Sequence, residues 1–207
     1  MPVACQIYLT QTKRKAGAGK TYDKYADVHF PNAHTIDWSD EKTLLALNQF
    51  DYTCPQFRES YRKIQNFIQA DCLFLDFDHI IPEPNLKEWT QKTRELAFNI
   101  KYKQAQVAVA VVPSISKTGC HILIPLDRQI GNAAEYGHCC VSAMSLEPSA
   151  DEAVKDAARF SFCSNMPDRE FRQYAYFLMG DPMPADFLLH MKKPRPANDF
   201  HREYNPS

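Results

Sequence analysis

The chain has 207 residues, 44% of them hydrophobic and 24% charged, and a formal net charge of -1. This is the composition of a folded globular protein and excludes a disordered chain. The near-neutral charge excludes a bulk electrostatic pull toward nucleic acid or membrane, so either partner would need a local basic patch. Seven cysteines with no Cys-x-x-Cys spacing argue against a disulfide framework or a zinc knuckle. With no signal-peptide pattern and no apolar run of roughly 18 residues, the expected compartment is reducing cytoplasm, without membrane association.

In chain order, Gln6 to Thr10 is predicted as a first strand. It leads into Lys13-Arg14-Lys15-Ala16-Gly17-Ala18-Gly19-Lys20-Thr21, whose end imitates a phosphate-binding loop. Arg14 stands where that motif requires its first glycine, so the stretch is read as a basic loop able to contact phosphates. Ser39 is expected to cap a helix running through Leu44, Leu45 and Leu47. The spacing of Phe57, Tyr61, Ile64, Phe67 and Ile68 predicts a second helix over 56–69, with Arg58, Arg62 and Lys63 on its other side.

The stretch from Asp71 to His79 reads Asp-Cys-Leu-Phe-Leu-Asp-Phe-Asp-His. As a strand it places Leu73, Leu75 and Phe77 on one face and Cys72, Phe74, Asp76 and Asp78 on the other. Asp76 and Asp78 then stand roughly 7 Å apart at the backbone. Their side chains can converge on one divalent cation, and without it they repel each other.

Beyond a loop marked by Pro82 and Pro84, Asn85 and Glu88 form a capping-box-like start to a helix whose face is Leu86, Trp89, Thr93, Leu96 and Ile100. Val107 to Val112 reads as a buried strand, 113–119 as a polar turn, and Cys120 to Leu126 as a strand with His121, Leu123 and Pro125 on one face. A helix is expected over 132–147. A turn should follow from Asp151, then a strand around Arg159 to Phe162. The proline-rich end is expected to be a linker or tail, giving one domain over 1–195 and a flexible segment over 196–207.

Two further elements join the acid pair as candidate chemistry. Ser116 and Lys117, in the turn before His121, make a cationic, donor-rich corner suited to a polyphosphate. The segment Asp151 to Phe160 supplies a third carboxylate, from Asp151 or Asp156, and the guanidinium of Arg159.

These elements in this order resemble the archaeo-eukaryotic primase superfamily, the primase-polymerases. Leu75-Asp76-Phe77-Asp78 matches the first motif, Ser116 to His121 the second, and the acidic segment from Asp151 the third. The likeness runs over roughly residues 50 to 170 and is strongest to primase domains of phages and integrative elements. Asn66 to Leu73 matches their Asn-Phe-x-x-Ala-Asp-Cys-Leu lead-in, and Asp156 to Phe160 their Asp-Ala-Ala-Arg-Phe segment. The resemblance implies an α/β fold with an RRM-like, antiparallel-containing sheet and a smaller mixed lobe. It implies primer synthesis or extension on single-stranded DNA from nucleoside triphosphates by two-metal phosphoryl transfer. Two Mg²⁺ or Mn²⁺ ions would be held by Asp76, Asp78 and a third acid, Asp151 by the family's placement of its third motif, with Asp156 still open. His121, Ser116, Lys117 and Arg159 would bind the nucleotide, and a replicative helicase domain or protein is a possible partner.

Two other classes compete. A dehalogenase-type phosphatase also starts from a strand ending Asp-x-Asp, with Asp76 as nucleophile, but its motif continues Gly-Thr where this chain has His79-Ile80. A nucleic-acid-binding replication accessory domain could keep the fold without the activity.

Overall fold

The computed structural model describes residues 3–15, 28–151 and 156–191. They form a mixed α/β structure built on antiparallel sheets. Strands β1 (Ala4–Leu9), β2 (Asn32–Asp37) and β3 (Tyr52–Thr53) make a three-stranded sheet in the order β2-β1-β3. A five-stranded sheet follows the order β10-β8-β9-β5-β4. Its members are β4 (Gln56–Phe57), β5 (Phe67–Phe77), β8 (Val109–Pro113), β9 (Cys120–Ile130) and β10 (Tyr176–Leu178). The small hairpin of β6 (Lys101–Tyr102) and β7 (Ala105–Gln106) precedes β8 in the chain.

The centre of the large sheet is β5 beside β9, which are buried over 72–77 and 120–126, the stretches that meet at the cavity end. Their register pairs Cys72 with Pro125, Phe74 with Leu123 and Asp76 with His121. The two faces expected from alternation therefore meet as cross-strand neighbours, which brings the acid and the imidazole together. The hairpin from β8 to β9 closes through the predicted turn, with the Ser114 amide donating to the Gly119 carbonyl at 3.0 Å. Gly119 lies so close to β5 that a Cβ there would collide with the Phe77 carbonyl oxygen, so only glycine lets the turn pack against the strand end.

Five α-helices flank the sheets: α1 (Leu45–Gln49), α2 (Leu86–Asn99), α3 (Ala133–Leu146), α4 (Asp168–Tyr174) and α5 (Ala185–His190). The Asn85 side chain caps α2 on the Glu88 amide at 3.1 Å, and Asn132 caps α3 on Ala134 and Glu135. Trp89 and Thr93, both on the expected face of α2, are buried. Helix α3 packs along β5, where the Tyr136 ring meets Phe67 and its hydroxyl donates to the Cys72 carbonyl at 3.3 Å. All seven cysteines are buried free thiols, and burial pushes Cys5, Cys54, Cys120, Cys139, Cys140 and Cys163 above the ordinary thiol range. Thiols held protonated in this way are packing groups.

Three local expectations are corrected. Residues 56–69 are not a helix: Gln56 and Phe57 pair with Gln69 and Phe67 as the edge of the large sheet. Glu59 and Ser60 stand at φ 53° and 59°, which no right-handed helix tolerates. The helix-like spacing was coincidental, and Ile64 and Ile68 from that supposed apolar face are exposed. Ser39 is not the cap: Asp40 accepts from the Lys42 amide and opens a 3₁₀ turn before α1, while Ser39 bonds back to Asp37. No strand forms around 159–162, where a single bridge joins Ser161 to Tyr52. Most of the basic stretch after Lys15, and the expected tail, lie outside the described residues. Among the described residues no helix is long and apolar enough to cross a membrane.

Candidate active site

Where β5 ends and β9 begins, the chain surrounds a cavity of about 370 Å³. Asp76, Asp78 and Asp156 supply its acidic side, Arg62, Arg159 and His121 its basic side, and Ile115, Phe160 and Phe162 its apolar wall. Asp76 is the last inward acid of β5 and is buried, whereas Asp78 lies past the strand end and is exposed.

A buried carboxylate needs compensating charge or donors. For Asp76 these are His121, whose Nε2 lies 3.5 Å from Oδ1, and Arg159, whose Nη2 lies 3.5 Å from Oδ2. His121 is itself buried and held from behind. The Tyr52 hydroxyl is 2.8 Å from its Nδ1, and Ser161 Oγ is 3.0 Å from the same atom. Burial holds the Tyr52 phenol well above its ordinary pKa, so it remains a neutral O–H. Nδ1 is thus the ring nitrogen engaged by Tyr52, while Nε2, 3.1 Å from Ser161 Oγ, is the one that faces Asp76. Tyr52 is in turn fixed by paired backbone bonds with Ser161, at 3.0 and 2.7 Å.

The third acid is brought in by a backbone contact. The Asp151 amide donates to the Asp76 carbonyl at 2.8 Å, and Asp151 Oδ2 lies 3.5 Å from the same Arg159 Nη2 that faces Asp76. Asp156 lines the cavity from a tight turn. Its Oδ1 accepts from the Ala158 amide at 2.9 Å and its carbonyl from the Arg159 amide at 2.9 Å, so it shapes the turn that carries Arg159.

The turn before β9 contributes less than its composition implies. Ser114, Ser116 and Thr118 form a chain of hydroxyls at 2.9 Å spacing within the turn itself. Lys117, at φ 59°, places its ammonium 2.5 Å from Glu170 of α4, and the turn residue that lines the cavity is Ile115.

Several residues in or behind the cavity carry no motif of their own. Tyr52 sits in a two-residue strand with no motif. Arg62 stacks over Phe160 at 4.6 Å from the ring centroid and donates to the Ala158 carbonyl at 2.6 Å. Phe160 and Phe162 meet edge to face at 5.0 Å, and Arg14, ion-paired to Asp51, lies over Phe162. Phe160, Ser161 and Phe162 follow Arg159 directly in the chain, whereas Tyr52 and Arg62 come from distant segments.

The fold and the site together define a mixed α/β protein with an acid-rich cavity at one end of an antiparallel sheet. No protein-family model and no curated protein matches the chain. Among solved structures it is similar to the AEP domain of the cyanophage S-2L primase-polymerase, with a TM-score of 0.46 and 8% identity, over 90% of this chain and 87% of that one. It is also similar to the polymerase domain of Mycobacterium tuberculosis ligase D in complex with DNA, with a TM-score of 0.35 and 14% identity, over 91% and 80% of the two chains. Likenesses at this level do not bear on chemistry, which the cavity's own residues must carry.

The donor chemistry fits a hard divalent cation, since Asp76 and Asp151 already turn carboxylate oxygens toward one positive nitrogen. Among the described residues no three His, Cys, Asp or Glu side chains stand close enough to be a ready-made metal cluster.

Proposed function

We propose that this chain is a DNA-dependent nucleotidyltransferase of primase-polymerase type, which joins nucleoside triphosphates on a single-stranded DNA template. The observation that supports it most is the cross-strand pairing of Asp76 with His121 at the cavity, with Asp151 tied to the Asp76 carbonyl beside them. In the reaction a primer 3′-oxygen forms a bond to the α-phosphorus, the bond from that phosphorus to the β-phosphate bridge breaks, and pyrophosphate leaves. Asp76, Asp78 and Asp151 are the residues that would hold Mg²⁺ or Mn²⁺. When bound, such ions neutralise phosphate charge and activate the attacking hydroxyl. His121 is positioned by Tyr52 and Ser161, and its Nε2 edge is the one offered to a phosphate oxygen. Arg159 supplies a second donor group, Asp156 holds the turn that aims it, and Phe160 and Phe162 give the cavity an apolar wall.

One observation favours a second reading, nucleic-acid binding without catalysis: the Arg159 guanidinium lies between Asp76 and Asp151, where a catalytic cation would compete with it. The phosphatase alternative needs Asp76 as an open nucleophile, whereas its carboxylate is buried against His121 and Arg159.

The deciding assay is primer synthesis and extension on single-stranded DNA, with Mg²⁺ and Mn²⁺ in parallel, for the parent and Asp76→Asn. Products from the parent and none from Asp76→Asn are expected. DNA binding by both proteins, with products from neither, would leave the accessory-domain reading in its place.

A further inference from the structure

The position of Arg159 carries a consequence for the acids around it. Its Nη2 is 3.5 Å from Asp76 Oδ2 and 3.5 Å from Asp151 Oδ2, on two segments of chain joined by the Asp151 amide. A well-seated guanidinium meets a carboxylate through two parallel bonds at about 2.7–2.9 Å. Here a single nitrogen is shared between two acids at the outer limit of hydrogen bonding, so the cation balances charge without being locked in place. Among the described residues its Nε and Nη1 make no hydrogen bond, and the side chain is 36% exposed beside the cavity. It therefore has both room and unused donors on the cavity side.

We infer that Arg159 is the resident counter-ion of Asp76 and Asp151. It competes with a divalent cation for those carboxylates and is released by that cation into the cavity, toward the phosphates of a nucleotide. The inference rests on the reading of Asp76 and Asp151 as metal ligands. The physical argument is exclusion: a Mg²⁺ or Mn²⁺ ion binding both oxygens must approach each to roughly 2.0–2.2 Å, and a guanidinium cannot stay between them. Metal and nucleotide then help each other bind, because the ion frees a phosphate donor and the phosphate draws that donor off the ion's ligands. Such coupling is reciprocal by linkage.

The test uses Mn²⁺ alone, with free ion measured by electron paramagnetic resonance, on the parent, Arg159→Gln and Asp76→Asn. Arg159→Gln should bind Mn²⁺ roughly three- to tenfold more tightly than the parent, the modest effect of one unit charge near a surface. It should also melt lower without metal, because Asp76 loses a partner, and regain most of the difference in saturating Mn²⁺. A second measurement needs no variant. Labelling of the parent with an arginine-specific dicarbonyl, read by mass spectrometry, should rise at Arg159 at least about twofold when Mn²⁺ is added, as the guanidinium leaves its acids. Unchanged or weaker Mn²⁺ binding by Arg159→Gln, or labelling that stays flat or falls, overturns the inference while leaving the metal site standing. A parent that binds no Mn²⁺, or Asp76→Asn that binds it equally well, overturns the metal-site reading itself.

Discussion

Strand β5 carries a partly buried carboxylate at its middle and a buried one next to its end, and the two are satisfied in different ways. Asp71 accepts the Gln6 backbone amide from β1 at 2.9 Å, and burial, only partly offset by that bond, raises its pKa. Asp76, five positions on, faces His121 and Arg159 across a cavity. A carboxylate tied to a neighbouring strand's amide is part of the sheet and has little left to offer a ligand. A carboxylate held by side chains that can move or change partner remains exchangeable. The same residue type on the same strand is thus architecture at mid-strand and candidate chemistry at the cavity end, and the partner decides which.

The largest effect should sharpen the chemical end. Asp151→Asn is expected to raise the Mn²⁺ needed for half-maximal nucleotide transfer by roughly tenfold or more, at least the scale on which even an outer-sphere partner matters. Asp156→Asn should instead lower activity at saturating metal, because the turn bearing Arg159 loosens. Metal titrations of both variants separate the roles, and exchanged phenotypes would make Asp156 the third ligand.

The next effect separates the two basic residues of the second motif. His121→Ala should weaken nucleotide binding roughly ten- to a hundredfold, the scale of a hydrogen bond to a charged group. It should also lower the melting temperature, since Tyr52 loses its partner. Lys117→Ala should cost at most about threefold, the scale of an exposed charge, because its ammonium is engaged by Glu170. Nucleotide titration by calorimetry checks both, and a tenfold loss for Lys117→Ala would move that residue to the chemical end.

The smallest effect belongs to the architectural carboxylate. Because the folded-state pKa of Asp71 is raised, its protonated form is the one the fold favours. Stability from this group is full below the ordinary carboxylate pKa and falls as pH rises through the interval up to the raised value. Asp71→Asn keeps an acceptor for the Gln6 amide and removes that loss. It should raise the melting temperature by roughly one or two degrees at pH 7 and by nothing at pH 3. A variant less stable at pH 7 would mean that the charge at Asp71 is needed, and would break the contrast with Asp76.

Much of the frame around the site was legible in the chain. Alternation along β5 and β9 puts Asp76 and His121 on faces that can meet, and the cap at Asn85 starts α2. These features follow from the period of a strand and from hydrogen bonds between residues two or three apart, and short stretches of sequence contain all the information needed. The fold of 56–69 was not legible, because its pattern suits a helix and only pairing with β5 and two left-handed residues decide otherwise. Nor was the direction in which each cation turns. Lys117 lies closest in sequence to His121 yet answers to Glu170, while Arg159 reaches Asp76 from a distant segment and Tyr52 supports His121 from another sheet. An ion pair or a buried hydrogen bond is set by which groups the packed chain brings within a few ångströms. That proximity between residues far apart in sequence is created only by the tertiary structure.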